Sequence, residues 1–470
     1  KRINKLTKFR KEKDSLGYVD VPNNKYWGAQ TQRSLENFNI GSDIIPVELI
    51  HAFAIQKKAS AISNLAIEKL DASIGEKIIQ ACDEIISGKL NEQFPLSVWQ
   101  TGSGTQTNMN LNEVIANRAN ELLDKKKDSK RIHPNDHCNL GQSSNDSFPT
   151  AMHVSTILEL NKVLFPAINS FLDALKKKET EFSKIVKIGR THLQDATPIT
   201  LGQEFSAFRV QIENSLSRIK IASNELYFLA QGGTAVGTGL NTSENFEKGF
   251  IKAIEQITNL PFKTSNNKFE SLSSHDSLVN LSGAINSLLV ASYKICNDIR
   301  LLSSGPRCGI GELILPPNEP GSSIMPGKIN PTQCEALSQV CIYLMGYHFS
   351  ITYAGSQGHF QLNANKTMII YSTLRMIKLI SGALNSFTKK CLIGIKANEK
   401  KIKTNLEQSL MLVTALNPKI GYDKCAEIAK KAYTENISLK EAAINLNYVS
   451  EGDFNAIVKP IEMTKKLSDK

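Results

Sequence analysis

Paired cysteines are what this 470-residue sequence most plainly lacks. Its eight cysteines (Cys82, Cys138, Cys296, Cys308, Cys334, Cys341, Cys391 and Cys425) stand singly, with no CxxC spacing. Neither a cysteine-based zinc site nor a disulfide framework is indicated, and scattered thiols fit a reducing compartment. No run of about 18 uninterrupted apolar residues occurs, the length a membrane-crossing helix needs. Internal repeats and low-complexity stretches are missing as well. With 41% hydrophobic and 21% charged residues, disorder and fibrous architecture are excluded. At about 150 residues per domain, the length suits roughly three domains.

The net charge of +11 invites a nucleic-acid reading. Its distribution argues otherwise. Residues Lys1 to Lys13 hold seven Lys/Arg and one acid, Glu12, which leaves only +5 on the other 457 residues. The expected body is near neutral, with a basic N-terminal tail that is either a solvated extension or the remnant of an organelle targeting peptide. The expected location is cytoplasmic, with the mitochondrial matrix as the alternative in the second case.

What the sequence has in quantity is helical periodicity. Ala151 to Lys187, Leu201 to Ala230, Asp276 to Ser303, Thr332 to Tyr353 and Lys366 to Leu392 each place apolar residues at helical spacing, with Pro166 as a kink in the first. Helices of this length need one another's apolar faces, so the expected fold is mainly α, an elongated helical bundle with two smaller end domains. The expected divisions are 1–142, 143–396 and 397–470. Several of these helices are apolar on more than one side, which predicts burial of a second face by oligomerisation.

Three stretches carry the polar chemistry. Gly305 to Pro331 holds five Gly and six Pro in 27 residues and ends Gly321-Ser322-Ser323-Ile324-Met325-Pro326-Gly327-Lys328-Ile329-Asn330-Pro331. It reads as a mobile lid. Asn330 is placed to cap the following helix, with Pro331 at its first position and Gln333 completing a capping box. Lys328 beside that helix start favours an anion. Thr101 to Asn108, containing Ser103, Gly104 and Thr105, and Gly141 to Asp146, containing Ser143, Ser144 and Asn145, cluster hydroxyls and amides. Such groups bind carboxylates or phosphates, or else cap helices. His192, in Arg190-Thr191-His192-Leu193-Gln194-Asp195, is the leading acid/base candidate, expected just before a helix that Pro198 helps to start. Glu335 is placed to raise its basicity and fix its tautomer. His133, in His133-Pro134-Asn135-Asp136, is a second candidate. Gly232 to Gly239 follows a helix and lacks GxGxxG spacing, so it reads as a tight backbone passage and not a dinucleotide loop.

Together these motifs resemble the fumarase/aspartase superfamily, whose signature loop matches Gly321 to Pro331. The likeness extends from Asn24-Lys25-Tyr26-Trp27-Gly28-Ala29-Gln30-Thr31 over nearly the whole chain. Gly104-Thr105-Gln106, His133 to Asp136, Gln142 to Asp146 and Pro331 to Ala336 are similar to class II fumarases; aspartases carry Asn where Asp136 stands. Cys138, Leu140 and Gly141 depart from the usual Val, Lys and Ser. The resemblance implies reversible hydration of fumarate to (S)-malate through an aci-carboxylate, with no metal or organic cofactor. It also implies a homotetramer with a twenty-helix core and three chains contributing to each active site. The partners so implied are a small dicarboxylate and other copies of the chain, with no nucleic acid and no membrane.

By the same resemblance Ser322 is the base, and His192 with Glu335 handles the water; the division of base and acid between Ser322 and His192 stays open. Lys328 and Asn330 hold the reacting carboxylate. Ser103, Gly104, Thr105, Ser143, Ser144, Asn145, Thr191 and Ser323 place the rest of the substrate. His133, Asn135 and Asp136 match a second dicarboxylate site. An ammonia lyase acting on aspartate is the competing enzyme reading, and a catalytically idle nucleic-acid-binding protein the competing class.

Overall fold

The computed structural model describes residues 8–126 and 129–466. The chain is helical over 62% of its length and extended over 9%, the mainly α architecture expected. A hairpin of β1 (Phe9–Asp14) and β2 (Gly17–Pro22) opens it, followed by α1 (Ala29–Asn37), α2 (Val47–Ala66), α3 (Ala72–Ile86) and α4 (Thr105–Asp124). Next come α5 (Ser144–Glu159), α6 (Phe165–Glu181) and a second hairpin of β3 (Val186–Thr191) and β4 (Gln194–Thr200). The long helices α7 (Leu201–Ser223), α10 (Asp276–Leu302), α11 (Thr332–Gly355) and α12 (Lys366–Lys390) are interrupted by α8 (Glu244–Thr258) and α9 (Lys268–Ser273). Five short helices close the chain: α13 (Glu399–Gln408), α14 (Asn417–Ile420), α15 (Tyr422–Glu435), α16 (Leu439–Asn445) and α17 (Glu451–Ile457).

The chain packs as two units, each drawn from three stretches. The first comprises Lys1–Pro166, Ser217–Ser287 and Tyr343–Ile380; the second comprises Ala167–Leu216, Leu288–Ile342 and Ser381–Lys470. In the first unit α2 packs against α3, α5 and α8 and is buried nearly all round, with Phe53 edge-on to Phe148 at 5.9 Å. In the second, Phe171 meets Phe387 at 5.9 Å, and Phe182, Phe205 and Phe208 stack edge to face. The terminal helices keep their own core around Leu416, Ile428, Ala442 and Ala443.

Several local expectations are revised. The expected helix from Ala151 to Lys187 is broken earlier: a wide turn at Leu160–Leu164, closed by Phe165 N–H to Leu160 C=O, precedes Pro166. Proline lacks the N–H that would continue the ladder there, so a π-type turn absorbs it. The helix ends at Glu181 and the chain becomes β3. The N-terminal region contains two long helices outside the five periodic stretches, α2 and α4, at 20 residues each. Buried polar residues on α2 and α4 mask their inward faces.

The basic tail is not all solvated extension. Lys1–Thr7 lie outside the described residues, but Phe9–Asp14 is a paired strand. Arg10 anchors it by donating to the carbonyls of Pro22 (2.9 Å), Lys25 (2.8 Å) and Trp27 (2.6 Å). Three carbonyls around one guanidinium fix the strand, which charge counting could not foresee. Among the described residues one helical stretch, Lys366–Gly394, has the length and mean hydropathy (1.2) to cross a membrane; 61% of its 18-residue apolar window is buried inside the protein, as in a core helix.

Candidate active site

Within the first unit, the N-termini of α4 and α5 come together. Gly104 precedes α4 with φ +79°, and a Cβ there would lie 2.2 Å from Phe148 Cδ2 of α5, so only glycine lets the two helix starts approach. Ser103 Oγ lies 3.0 Å from Thr105 Oγ1, and Asn108 Nδ2 donates to Ser144 Oγ at 3.1 Å. Ser143 caps α5 in a capping box with Asp146. Its hydroxyl therefore does the helix-capping work that sequence reading left as the alternative to ligand binding. Asn145 Nδ2 donates to the Ala235 carbonyl at 2.8 Å. Ser103, Gly104, Thr105, Ser143, Ser144 and Asn145 thus share one neighbourhood where two positive helix ends meet hydroxyls and amides, a setting for an anion.

Asp146 holds this neighbourhood from below. Fully buried, it accepts from the N–H groups of Ser143 (2.9 Å), Gly232 (3.0 Å) and Thr234 (2.9 Å) and from Gln231 Nε2 (3.0 Å). Burial pushes its carboxyl up to about 6 despite these donors. The Gly232–Gly239 passage is therefore a dock for a carboxylate, with Gly232 at φ +99° and Thr234 at φ +53°.

Within the second unit, His192 and Leu193 form the tip of the β3–β4 hairpin at φ +56° and +60°. Two consecutive positive φ values make a tight primed turn that leaves Thr191 and His192 exposed. The expectation that His192 directly precedes a helix is corrected: Pro198 lies inside β4, and α7 begins at Leu201. Pairing with the preceding strand overrides proline's preference for a helix start. The hairpin is anchored by Arg190, whose Nη1 and Nη2 bind Glu312 Oε2 and Oε1 at 3.1 and 2.7 Å. Buried Lys187 lies 3.3 Å from both Glu204 and Glu312. Burial alone would raise Glu312, but these cations and Asn405 hold it below the usual range.

The segment read as a lid is irregular and exposed from Ser323 to Ile329. Its base is closed by Gly321 N–H to Lys328 C=O (2.9 Å) and by Asn330 Nδ2 to Gly321 C=O (2.7 Å). A Cβ on Gly321 would lie 2.2 Å from the Lys328 oxygen. Ser322 Oγ accepts the N–H groups of Ile324 (3.3 Å) and Met325 (3.1 Å). Donors of this kind stabilise negative charge on the oxygen. Among the described residues, Lys328 makes no ion pair within the chain. The expected capping box at α11 is not formed. Asn330 spends its amide on the lid base, and Gln333 Oε1 accepts from Ser386 at 2.7 Å.

Glu335 is exposed on the first turn of α11, and among the described residues no hydrogen bond or ion pair within the chain joins it to His192. Ser323 is exposed beside Ser322. His133, Asn135 and Asp136 form a separate exposed turn in the first unit. The N–H groups of Asn135 and Asp136 point at His133 Nδ1 (3.3 and 3.2 Å), with Asp136 Oδ2 3.2 Å from the same nitrogen.

Sequence reading missed the layer beneath the Ser143 segment. Lys57 of α2, 2% exposed, donates to Asn139 Oδ1 and Gln142 Oε1, and Gln56 beside it reaches Gln142 and Gln231. The available signal was Gln-Lys directly after the apolar run Ala52–Ile55 of α2.

Residues 17–346 match the family described as Lyase, and residues 412–465 match the fumarase C C-terminus. The chain is 56% identical to fumarate hydratase class II 2 of Bradyrhizobium diazoefficiens, over 97% of both proteins. It is also 56% identical to the mitochondrial fumarate hydratase of Rhizopus oryzae, over 97% of this chain and 93% of that protein. The crystal structure of class II fumarase from Schistosoma mansoni superposes with a TM-score of 0.96 at 44% identity, covering 97% of this chain and 99% of that one.

Proposed function

The chain belongs to the class II fumarate hydratases of the Lyase family, and on that premise we propose how its residues carry out the reversible hydration of fumarate to (S)-malate. It is a hydro-lyase acting on a small dicarboxylate. Removing the proton beside a malate carboxylate builds a second negative charge on that carboxylate, an aci-carboxylate. Stabilising this charge is the main demand on the protein.

Lys328 supplies the charge, and Asn330, with one amide N–H left after the lid bond, supplies a donor. Ser322 is the base. An alkoxide is unstable at a serine's ordinary pKa, and the observation that carries its role is the pair of N–H groups on its Oγ. Thr105, Ser143, Ser144, Asn145 and Thr191 bind the remaining carboxylate and hydroxyl, with Ser103, Gly104 and Ser323 lining the same region. His192, paired with Glu335, protonates the departing hydroxyl or deprotonates the arriving water. His133, Asn135 and Asp136 form a second dicarboxylate site. The residues themselves supply acid, base and charge, so the reaction as proposed needs no cofactor.

We propose a homotetramer in which several chains complete each site. Large apolar side chains left exposed in the single chain support it, among them Val290 (53% exposed) on α10 and Ile342, Phe349 and Tyr353 (57, 73 and 65%) on α11. Bacterial and mitochondrial proteins both occur among the relatives; the cytoplasm is the proposed location and the matrix the alternative.

The test is the ultraviolet absorbance of fumarate after adding the protein, with malate quantified. A parallel incubation with fumarate and ammonium that yields aspartate, and no malate in either, would overturn the assignment in favour of an ammonia lyase.

A further inference from the structure

A lysine only 2% exposed lies under the Ser143–Asn145 segment. Lys57 Nζ donates to Asn139 Oδ1 at 2.9 Å and to Gln142 Oε1 at 3.0 Å, the two amides flanking the turn that delivers Ser143. Asn139 Oδ1 also accepts from Asn108 and Asn112 of α4, both at 3.2 Å, while Asn139 Nδ2 donates to the Gln142 carbonyl at 3.1 Å. Asn108 Nδ2 in turn donates to Ser144 Oγ. One ammonium therefore ties α2, α4 and the substrate segment through a single amide.

Two details show that the network is organised around Asn139. Asn108 Oδ1 and Asn112 Oδ1 are buried without partners, so both amides are turned to donate and not to satisfy themselves. Ser144 Oγ, having accepted an N–H, keeps its own proton free to donate, as a substrate carboxylate requires.

We propose that Lys57 is a positioning residue for substrate binding, fixing Asn139 and hence Asn108 so that Ser144 presents its hydroxyl proton to the dicarboxylate. This rests on the fumarate hydratase reading. Burial pushes the ammonium down to about 7, and the neutral amine still has two N–H donors for its two acceptors, so the arrangement holds on both sides of neutrality.

The experiment compares wild type, Lys57→Met, Ser144→Ala and the double variant by fumarate hydration kinetics, with thermal melting of each. Lys57→Met should raise KM about tenfold, the worth of one hydrogen bond from a charged donor, with kcat within about threefold. In the Ser144→Ala background the same change should raise KM less than about twofold, since residues acting through one another are not additive. Equal effects in both backgrounds, or a lowered melting temperature with unchanged KM, would overturn the proposal and leave Lys57 a packing residue. Should Lys57→Met not fold, Asn139→Leu removes the same link and is held to the same two outcomes. A wild type that does not hydrate fumarate would instead refute the functional assignment.

Discussion

Arg190 grips Glu312 with both guanidinium nitrogens, at 3.1 and 2.7 Å, and Glu312 is wholly buried. The pair joins the strand that ends at Thr191, just before His192, to the segment that leads toward Gly321. Arg190→Met leaves the Glu312 carboxylate buried with Lys187 and Asn405 as its remaining partners. Breaking a buried pair costs about 3–5 kcal/mol when the remaining charge is uncompensated, and less with Lys187 still at 3.3 Å, so the variant should melt below wild type and lose activity. Melting and activity both near wild type would show that the pair does not hold the hairpin.

His192→Asn removes the proposed proton carrier while keeping a polar side chain at the hairpin tip. The rate should fall by about 10²–10⁴, the range for a positioned acid/base, with melting temperature unchanged because His192 is exposed. A loss of tenfold or less in kcat would exclude it from proton transfer.

Lys328→Ala removes a cation aimed, as proposed, at the carboxylate that gains charge. Both KM and kcat should worsen. Steady-state kinetics indistinguishable from wild type would take Lys328 out of the site.

Lys366 sets a pH dependence of stability. It is fully buried, with Nζ donating to the carbonyls of Leu272 (3.1 Å) and Asn363 (2.6 Å), and burial lowers it from 10.5 to about 7. Between these values the unfolded chain binds a proton that the folded chain lacks, so stability from this residue grows as pH rises. It is lost as pH falls through about 7. The slope approaches about 1.4 kcal/mol per pH unit for one proton. Denaturant unfolding of Lys366→Met should therefore have a flatter slope than wild type between pH 7 and 9. Parallel slopes would mean that Lys366 is charged in the folded protein throughout.

The shared-site proposal predicts complementation. His192→Asn and Ser322→Ala proteins, each inactive, should regain part of the activity when unfolded together and reassembled, because some sites then draw both residues from intact chains. Mixed tetramers confirmed by mass but without activity would place the two residues on the same chain in each site.

Much of this protein is legible in its sequence through local signals. The five long apolar periodicities fall mainly on helices α5, α6, α7, α10, α11 and α12, and the Gly- and Pro-rich stretch is largely irregular. The Gly141–Asp146 cluster, read as a ligand binder or a helix cap, caps α5 through Ser143 and Asp146. These features are legible because each depends on residues within one or two turns of one another. What the tertiary structure decided depends on partners far along the chain. Arg10 became a strand anchor through carbonyls 12 to 17 residues away. Pro198 went into a strand because β3 pairs with it, and the Asn330 amide reaches back nine residues to the Gly321 carbonyl. Lys57 lies 82 residues from Asn139, and only folding puts its ammonium under that amide, away from water. A polar side chain's partner depends on which acceptor lies within about 3 Å after the apolar surfaces have packed, and no pattern of neighbours in the sequence encodes that distance.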